Sequence, residues 1–201
     1  MGYGDLSRYQ LGQILGSKGT KMLFARNHAK ITAMKPPAMP VPLPSLIELP
    51  FGLPGRIFRS PMPFRAGDTQ GEVFRQYLEQ QVSVVVVLVD DAECLARSGR
   101  HLRLFYESNG LQVIHLPISD FDVPTQDALS AAIEAALDRL RAGHNLAVHC
   151  YAGYGRTGMF LACMARRVLG MSTDEAIEWV RSYVPTAIEV PEQVDVVKAF
   201  K

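Results

Sequence analysis

Residues 146–160 read LAVHCYAGYGRTGMF, and this stretch decides the fold. Strand-forming apolar residues run up to His149, glycines follow at 153 and 155, and from Arg156 to Leu169 the chain is apolar almost all round. The first run is typical of a strand that is buried on both faces, and the second is typical of a buried helix. The pattern therefore predicts a strand, a tight glycine-bearing loop and a central helix. Open parallel sheets bind ligands at such a junction, beyond the carboxyl ends of their strands.

Strand and helix signals alternate through the rest of the chain. Residues 82–89, VSVVVVLV, are nearly all β-branched and predict a second interior strand. Apolar residues at helical spacing predict helices, and a Ser-x-x-Glu pattern from Ser172 and a proline at 191 mark two helix starts. The predicted strands are residues 46–49, 56–59, 82–89, 111–116 and 146–149, and the predicted helices are residues 69–81, 92–109 with a possible break, 126–141, 156–169, one after Ser172 and one from near Pro191. This alternation predicts an α/β fold with a mostly parallel central sheet of about four or five strands and helices on both faces.

The N-terminal part differs in composition from the rest of the chain. Residues 1–34 carry scattered glycines and no sustained periodicity, which predicts an N-terminal extension or, with Met34 as the natural start, an expression remnant. Residues 35–55 are rich in proline and predict an extended lead-in. The folded domain is expected over residues 56–201.

Charge and cysteine content exclude several classes of protein. The 201 residues carry 21 basic and 20 acidic side chains, a net charge of +1, so no global basic field favours nucleic acid or an anionic membrane. The three cysteines are too scattered for a disulfide framework or a zinc site, and a reducing compartment is the simpler interpretation. No secretory leader is recognisable, and no stretch approaches the roughly 20 apolar residues of a membrane span. We therefore expect a cytoplasmic protein with neither nucleic acid nor membrane as partner; the oligomeric state is not indicated.

The loop between the predicted strand and helix has the residue types that a thiol nucleophile needs. A cysteine attacks as its thiolate, and a free pKa of about 8.5 leaves little thiolate at neutral pH, so Cys150 needs a stabilising environment. A helix N-terminus and inward-pointing backbone amides can supply it. Gly153 and Gly155 allow the backbone to turn tightly onto an anion. Arg156 can hold two phosphate oxygens through its planar guanidinium, and Thr157 can donate its hydroxyl to the sulfur.

Residues 149–158, HCYAGYGRTG, resemble the signature H-C-x-x-G-x-x-R-S/T-G of the cysteine-dependent protein-tyrosine and dual-specificity phosphatases at every fixed position. The Val-rich strand with Glu93 beyond it, and LPISD at residues 116–120, also fit a compact member of that family. The resemblance implies that residues 56–201 form a phosphatase domain with the protein-tyrosine-phosphatase-like fold, in which Cys150 is the nucleophile and His149 orients the loop. The residues that would bind the substrate phosphate are Tyr151, Ala152, Gly153, Tyr154, Gly155 and Arg156.

A proton donor for the leaving oxygen is the second requirement of this chemistry. Pro117, Asp120 and Pro124 match the P-x-x-D-x-x-x-P form that the acid loop often takes in the resembling families, so Asp120 is the expected general acid and Asp122 the alternative. The resemblance also makes Gln193 a candidate for a place near the catalytic water, with a solvated helix residue as the alternative. The implied reaction passes through a cysteinyl-phosphate intermediate and requires no metal and no cofactor.

The rim of the loop bears on the substrate. Positions 151 and 154 are both tyrosine, whereas phosphoinositide phosphatases of the tumour-suppressor type have lysines there. We therefore expect a phosphorylated protein or a small phosphoester with one dianionic group, and the short chain favours a shallow, dual-specificity site. Hydrolysis of inositol polyphosphates or phosphoinositides stays open as a second function, because Arg59 and Arg65 could approach from another loop. A non-catalytic phosphate-binding module and a sulfur-transferring or arsenate-reducing thiol enzyme are less favoured by the same residues.

Overall fold

The computed structural model describes residues 45–201. The extension predicted at residues 1–34, and the part of the lead-in before residue 45, lie outside the described residues. Residues 45–201 form five strands and seven helices. In chain order these are β1 (Ile47–Leu49), β2 (Ile57–Ser60), α1 (Glu72–Glu79), β3 (Val82–Val87), α2 (Asp91–Ser98), α3 (Leu102–Ser108), β4 (Gln112–His115), α4 (Gln126–Arg141), β5 (Asn145–His149), α5 (Gly155–Leu169), α6 (Thr173–Tyr183) and α7 (Pro191–Ala199).

The strands form one sheet in the order β1-β2-β5-β3-β4. All neighbouring pairs are parallel except β1 and β2, which confirms the predicted mostly parallel α/β fold. Residues 84–87 of β3 are completely buried, because helices cover both faces of this interior strand. The edge strand expected at residues 46–49 is present as β1, so the end of the proline-rich lead-in belongs to the sheet.

One predicted helix starts later in the structure, and the break left open in another is present, each for a local reason. The helix predicted from residue 69 begins only at Glu72, because Gly71 adopts a left-handed φ of 73° and the Asp68 carboxylate accepts the backbone N–H of Val73. The helix predicted over residues 92–109 is broken into α2 and α3. Gly99, with a φ of 68°, ends α2 in the left-handed conformation that glycine adopts without strain.

Helix α5 follows the loop after β5 and lies at the centre of one helical layer. It packs against α4, α6 and α7, and every residue from 155 to 165 is buried. The predicted capping box of α6 is formed by Ser172 and Glu175, and α7 begins with Pro191 in its first turn. Since β5 lies between β2 and β3, the loop at its carboxyl end is enclosed by the ends of two further strands. None of the helices in the described part of the chain is both long enough and apolar enough to cross a membrane.

Candidate active site

The loop after β5 turns back over the Cys150 thiol. The backbone N–H of Gly153 donates a hydrogen bond to Cys150 Sγ at 3.2 Å. Gly153 has a φ of 79°, and a Cβ at this position would lie 2.3 Å from the carbonyl oxygen of Ser60, so no larger residue fits without movement. Buried Arg59 on β2 donates to the carbonyl oxygens of Gly153 (Nε, 2.8 Å) and Ala152 (Nη2, 3.1 Å). The sequence suggested Arg59 only as a substrate contact; in the structure it ties the loop to the neighbouring strand.

Arg156, in the first turn of α5, is held by three partners. Its Nη1 donates to Glu93 Oε2 and to the carbonyl oxygen of Ile118, both at 2.8 Å. Its Nη2 donates to Glu93 Oε1 at 3.1 Å and to Asp120 Oδ1 at 3.0 Å. Among residues 45–201, Nε has no hydrogen-bond partner. The guanidinium plane is therefore fixed by α2 and by the loop after β4, and Glu93 has a contact that the sequence pattern did not assign to it.

The two candidate acids have different surroundings. Asp120 lies in the lining of the cavity that contains Cys150, and its side chain remains 48% exposed despite the contact with Arg156. Asp122 is exposed, its Oδ1 accepts the backbone N–H of Val123 at 2.8 Å, and it does not line that cavity. The chain turns between them at Phe121, which has a left-handed φ of 60°. The geometry therefore brings Asp120, and not Asp122, to the thiol and the guanidinium.

A cavity of about 230 Å³ joins the candidate residues. Its lining consists of Asp120, Phe121, Cys150, Tyr151, Ala152, Arg156, Glu189 and Gln193. Hollows of about 420 and 490 Å³ elsewhere on the described part of the chain contain none of the predicted site residues. The chemistry of the lining, and not the volume, therefore marks this cavity as the candidate functional site.

Gln193 is buried at the start of α7 and lines this cavity, so it is not a solvated helix residue. Its Oε1 accepts the backbone N–H of Glu189 at 3.0 Å. A Cβ at Gly155 would lie 2.5 Å from the Glu189 carboxylate and 3.0 Å from the Gln193 amide, so the glycine allows residues 189–193 to reach the loop. Sequence reasoning missed Glu189, whose only signal is its position four residues before the candidate glutamine.

His149 and Thr157 lie beneath the loop and are fully buried. His149 Nδ1 donates to the carbonyl oxygen of Cys150 at 3.0 Å, and its Nε2 accepts the hydroxyl of Tyr106 at 3.0 Å. Burial lowers the pKa of His149 to about 4, so the imidazole is neutral near pH 7 and suited to orienting the loop. The Thr157 hydroxyl has no hydrogen-bond partner within residues 45–201, and the expected bond to the sulfur is not formed in this arrangement.

The other two cysteines of the chain lie in the hydrophobic core. Both Cys94 and Cys163 are free thiols with no exposed surface. Burial raises the pKa of each thiol to about 12, because the apolar surroundings disfavour the thiolate. Neither is therefore a competing nucleophile at neutral pH.

Aromatic and basic side chains meet at the rim of the cavity. Tyr151 lines it, and the guanidinium carbons of Arg97 and Arg65 lie 4.9 and 5.7 Å from the centre of the Tyr151 ring. Tyr154, the other loop tyrosine, is not part of the lining; its ring packs under the guanidinium of Arg59 at 4.7 Å. The loop positions 151 and 154 are themselves uncharged. The positive charge at the rim therefore comes from arginines on other elements.

Comparison with known proteins places these features in a family. Residues 62–168 match a family model described as "Polymorphic toxin system, DSP-PTPase phosphatase". The tyrosine-protein phosphatase cdc-14 of Caenorhabditis elegans is 30% identical over 135 residues, which are 65% of this chain and 16% of that protein. The protein tyrosine phosphatase domain-containing protein 1 of Mus musculus is 28% identical over 136 residues, 64% of this chain and 18% of that protein. The chain therefore spans less than a fifth of the length of these two curated relatives.

Two solved structures have the same architecture. Tk-PTP in its active form superposes with a TM-score of 0.61 at 32% identity, over 73% of this chain and 91% of that one. The kinase associated phosphatase KAP superposes with a TM-score of 0.69 at 19% identity, over 81% of this chain and 96% of that one, a likeness of fold alone.

Proposed function

This chain belongs to the DSP-PTPase phosphatase family that its residues 62–168 match, and we propose that it hydrolyses phosphomonoesters through a cysteinyl-phosphate intermediate. One observation carries the proposal: the thiol of Cys150, the guanidinium of Arg156 and the carboxyl group of Asp120 line a single cavity. A nucleophile, an oxyanion clamp and a proton donor in one hollow are the groups that two-step phosphoryl transfer uses.

In the first step, the Cys150 thiolate attacks phosphorus, so that the S–P bond forms and the P–O bond to the alcohol or phenol breaks. The leaving oxygen takes the proton of the Asp120 carboxyl group. The Gly153 N–H donates a hydrogen bond to the attacking sulfur, and α5 begins five residues after Cys150, so positive ends of backbone dipoles lie next to Sγ.

Substrate binding exchanges one hydrogen bond of Arg156. Glu93 accepts one N–H of Nη1 and one N–H of Nη2. Two N–H groups on the other edge are therefore available to a phosphate: that of Nε, and the second N–H of Nη2, which bonds Asp120 in this structure. A phosphate that takes these two N–H groups is bound at two points. It also displaces the Asp120 carboxyl group from Arg156 at the moment when that group is needed at the leaving oxygen. In the absence of substrate, Asp120 Oδ1 thus accepts the Nη2 N–H that a phosphate oxygen would accept.

In the second step, water attacks phosphorus, the S–P bond breaks, and Asp120 takes the proton of the water as inorganic phosphate forms. Arg156 and the loop amides stabilise the equatorial oxygens in both steps. We propose that Gln193 positions this water, since its buried amide lines the cavity beside Cys150.

The proposed substrates are phosphorylated proteins or small phosphoesters, with dual specificity. Within residues 45–201, no long insertion between the strands and helices deepens the cavity of about 230 Å³. A second candidate, hydrolysis of a polyphosphorylated small molecule, is favoured by Arg65 and Arg97 at the rim. We propose a cytoplasmic location because all three cysteines are free thiols, and a thiolate nucleophile is preserved under reducing conditions.

The test is turnover of para-nitrophenyl phosphate in the presence of EDTA, combined with rapid quenching to trap a phosphorylated cysteine. Wild-type protein is expected to turn over and to accumulate the acid-quenched phosphoenzyme, and Cys150→Ser to do neither. Cys163→Ala, which removes a buried thiol outside the cavity, is the matched control and should retain turnover. Turnover by Cys150→Ser at the wild-type rate would remove the thiol from the mechanism.

A further inference from the structure

We propose that Arg65 and Arg97, around the ring of Tyr151, form a second anion site at the mouth of the catalytic cavity. The site binds a carboxylate or a second phosphate that the substrate carries beside the phosphate to be removed. This inference rests on the proposed phosphatase function and specifies its substrate class. Three observations carry it: the position of the two guanidinium groups, their lack of acidic partners within residues 45–201 and an unused buried donor.

The position of the two arginines follows from the fold. Arg65 comes from the loop after β2 and Arg97 from the last turn of α2, so the two approach the catalytic loop from separate elements. Both guanidinium groups lie within 6 Å of the centre of the Tyr151 ring, at 5.7 and 4.9 Å. Tyr151 also lines the cavity together with Cys150. Neither arginine lines the cavity itself, so the two positive charges lie next to its Tyr151 wall, where they can act on a group that extends from the phosphate past this ring.

Neither arginine is neutralised by an acidic side chain of the described residues. Within residues 45–201, Arg65 and Arg97 form no salt bridge, while Arg156, Arg103 and Arg56 all do. The nearby acids of α2 and of the loop after β2 are engaged elsewhere. Their partners are the N–H groups of Phe64 and Val73 for Asp68, the N–H of Glu93 for Asp90, Arg103 for Asp91 and Arg156 for Glu93. The positive charge at the rim is therefore available to a ligand.

Arg65 also holds a buried donor without an acceptor. Its Nε is shielded from solvent and has no hydrogen-bond partner in the described part of the chain. Buried donors are nearly always satisfied in folded proteins, so the described residues leave part of the hydrogen-bonding capacity of Arg65 unused. Burial, and to a smaller extent the charge of Arg65, lower the pKa of the neighbouring Arg59. An anion at the rim relieves this repulsion and can accept from the guanidinium of Arg65.

The cation–π contacts with Tyr151 orient the two guanidinium groups and leave donors for a ligand. A guanidinium over an aromatic ring is held in place, yet the N–H groups at its edge stay free to donate in the plane. A carboxylate or phosphate accepts two such N–H groups at once. The shared chemistry of the ligand is therefore a second anionic group, found on an acidic phosphopeptide or on a small molecule with two phosphates.

The experiment compares matched substrates that differ in this second group. One pair is two phosphotyrosine peptides in which the flanking residues are Glu or Gln, and the other pair is an inositol bisphosphate and an inositol monophosphate. For at least one pair, the wild-type kcat/KM should be about 3- to 10-fold higher for the more anionic member, the size expected for partly exposed ion pairs. This preference should decrease as salt is added, because exposed charges are screened. The pair that shows the preference identifies the source of the second group.

Variants then assign the preference to the rim. Arg97→Gln and Arg65→Gln should each lower it, and the double variant should abolish it. Arg139→Gln removes the same charge from the last turn of α4, which precedes β5 at the opposite end of the sheet, and should keep the wild-type preference. Arg97→Lys retains the charge and should retain a preference; a loss as large as that of Arg97→Gln would argue against charge recognition. Thermal melting of each variant verifies that it is folded.

The outcomes separate this inference from the function on which it rests. Hydrolysis of both members of each pair at equal kcat/KM, or an undiminished preference in the double variant, overturns the second anion site and leaves the phosphatase intact. Failure of the wild-type protein to hydrolyse any of the four substrates, or para-nitrophenyl phosphate, counts against the phosphatase itself.

Discussion

Arg156 and Glu93 meet in a two-point ion pair, with Nη1–Oε2 and Nη2–Oε1 distances of 2.8 and 3.1 Å. Their side chains are only 3% and 14% exposed, so solvent screens the pair little. The pair joins the first turn of α5 to the first turn of α2 and fixes the plane of the guanidinium. It thereby determines which edge of Arg156 remains for a phosphate.

Replacing Glu93 by glutamine should impair catalysis through Arg156. Glu93→Gln keeps the shape of the side chain but loses the charge and one acceptor, so the guanidinium can rotate away from the phosphate. Misplacing a catalytic group by about 1 Å costs roughly 10²-fold, and we expect a loss of kcat/KM of that order for an aryl phosphate. The inhibition constant of inorganic phosphate should rise in parallel, which distinguishes a disturbed clamp from a general loss of stability. Glu107→Gln, an exposed change on α3, is the control; a Glu93→Gln enzyme with wild-type kcat/KM would exclude this role.

The two neighbouring aspartates should differ in their dependence on the leaving group. Asp120→Asn should lower kcat by roughly 10²- to 10⁴-fold for poor leaving groups and less for good ones, because only poor leaving groups need the proton. Asp122→Asn is the matched control, since its carboxylate bonds its own loop outside the cavity. The measurement is kcat for a series of aryl phosphates of increasing leaving-group pKa. If Asp122→Asn gives the steeper dependence, then Asp122 is the acid.

The buried imidazole of His149 should make the protein less stable in acid. Burial lowers its pKa in the folded protein from 6.5 to about 4, so between these pH values the unfolded chain binds a proton that the folded chain does not bind. The stabilisation is complete above pH 6.5 and is lost as the pH falls toward 4, by an amount on the order of 3 kcal/mol. Urea unfolding through this pH range measures it. The pH dependence should flatten in His149→Gln and persist in His101→Gln, where the imidazole is exposed; equal dependence in both variants would contradict the assignment.

A methyl group at Gly153 should be harmful beyond its effect on backbone conformation. Gly153 and Gly143 have similar left-handed φ angles, 79° and 87°, so alanine strains both by roughly 1–2 kcal/mol. A Cβ at Gly153 would also lie 2.3 Å from the Ser60 carbonyl, whereas one at Gly143 would have no atom within 4 Å. We therefore expect Gly153→Ala to be the less stable variant by urea unfolding and to lose kcat/KM. Gly143→Ala should lose stability alone. Equal effects of the two changes would show that the close approach of the loop to β2 is unimportant.

Local patterns are sufficient for most elements of the fold. The β-branched run of β3, the apolar periodicity of α4 and the capping box of α6 each depend on neighbours a few residues apart, and the sequence predicts all three. The start of α1 is predicted three residues too early, and the break between α2 and α3 is anticipated only as an alternative. These boundaries depend on Gly71 and Gly99, whose left-handed conformations do not alter the apolar pattern around them.

The sequence by itself determined the strand-loop-helix unit and, through the spacing of Cys150 and Arg156, the residues proposed for the chemistry. These features lie within one short segment, so their relation is set by the local backbone. Only the tertiary structure decided what surrounds that segment: Glu93 and Asp120 on the guanidinium, Gln193 in the cavity wall and the positive rim. Such contacts join residues that are tens of positions apart, and their geometry follows from how helices pack on the sheet, which no local pattern encodes.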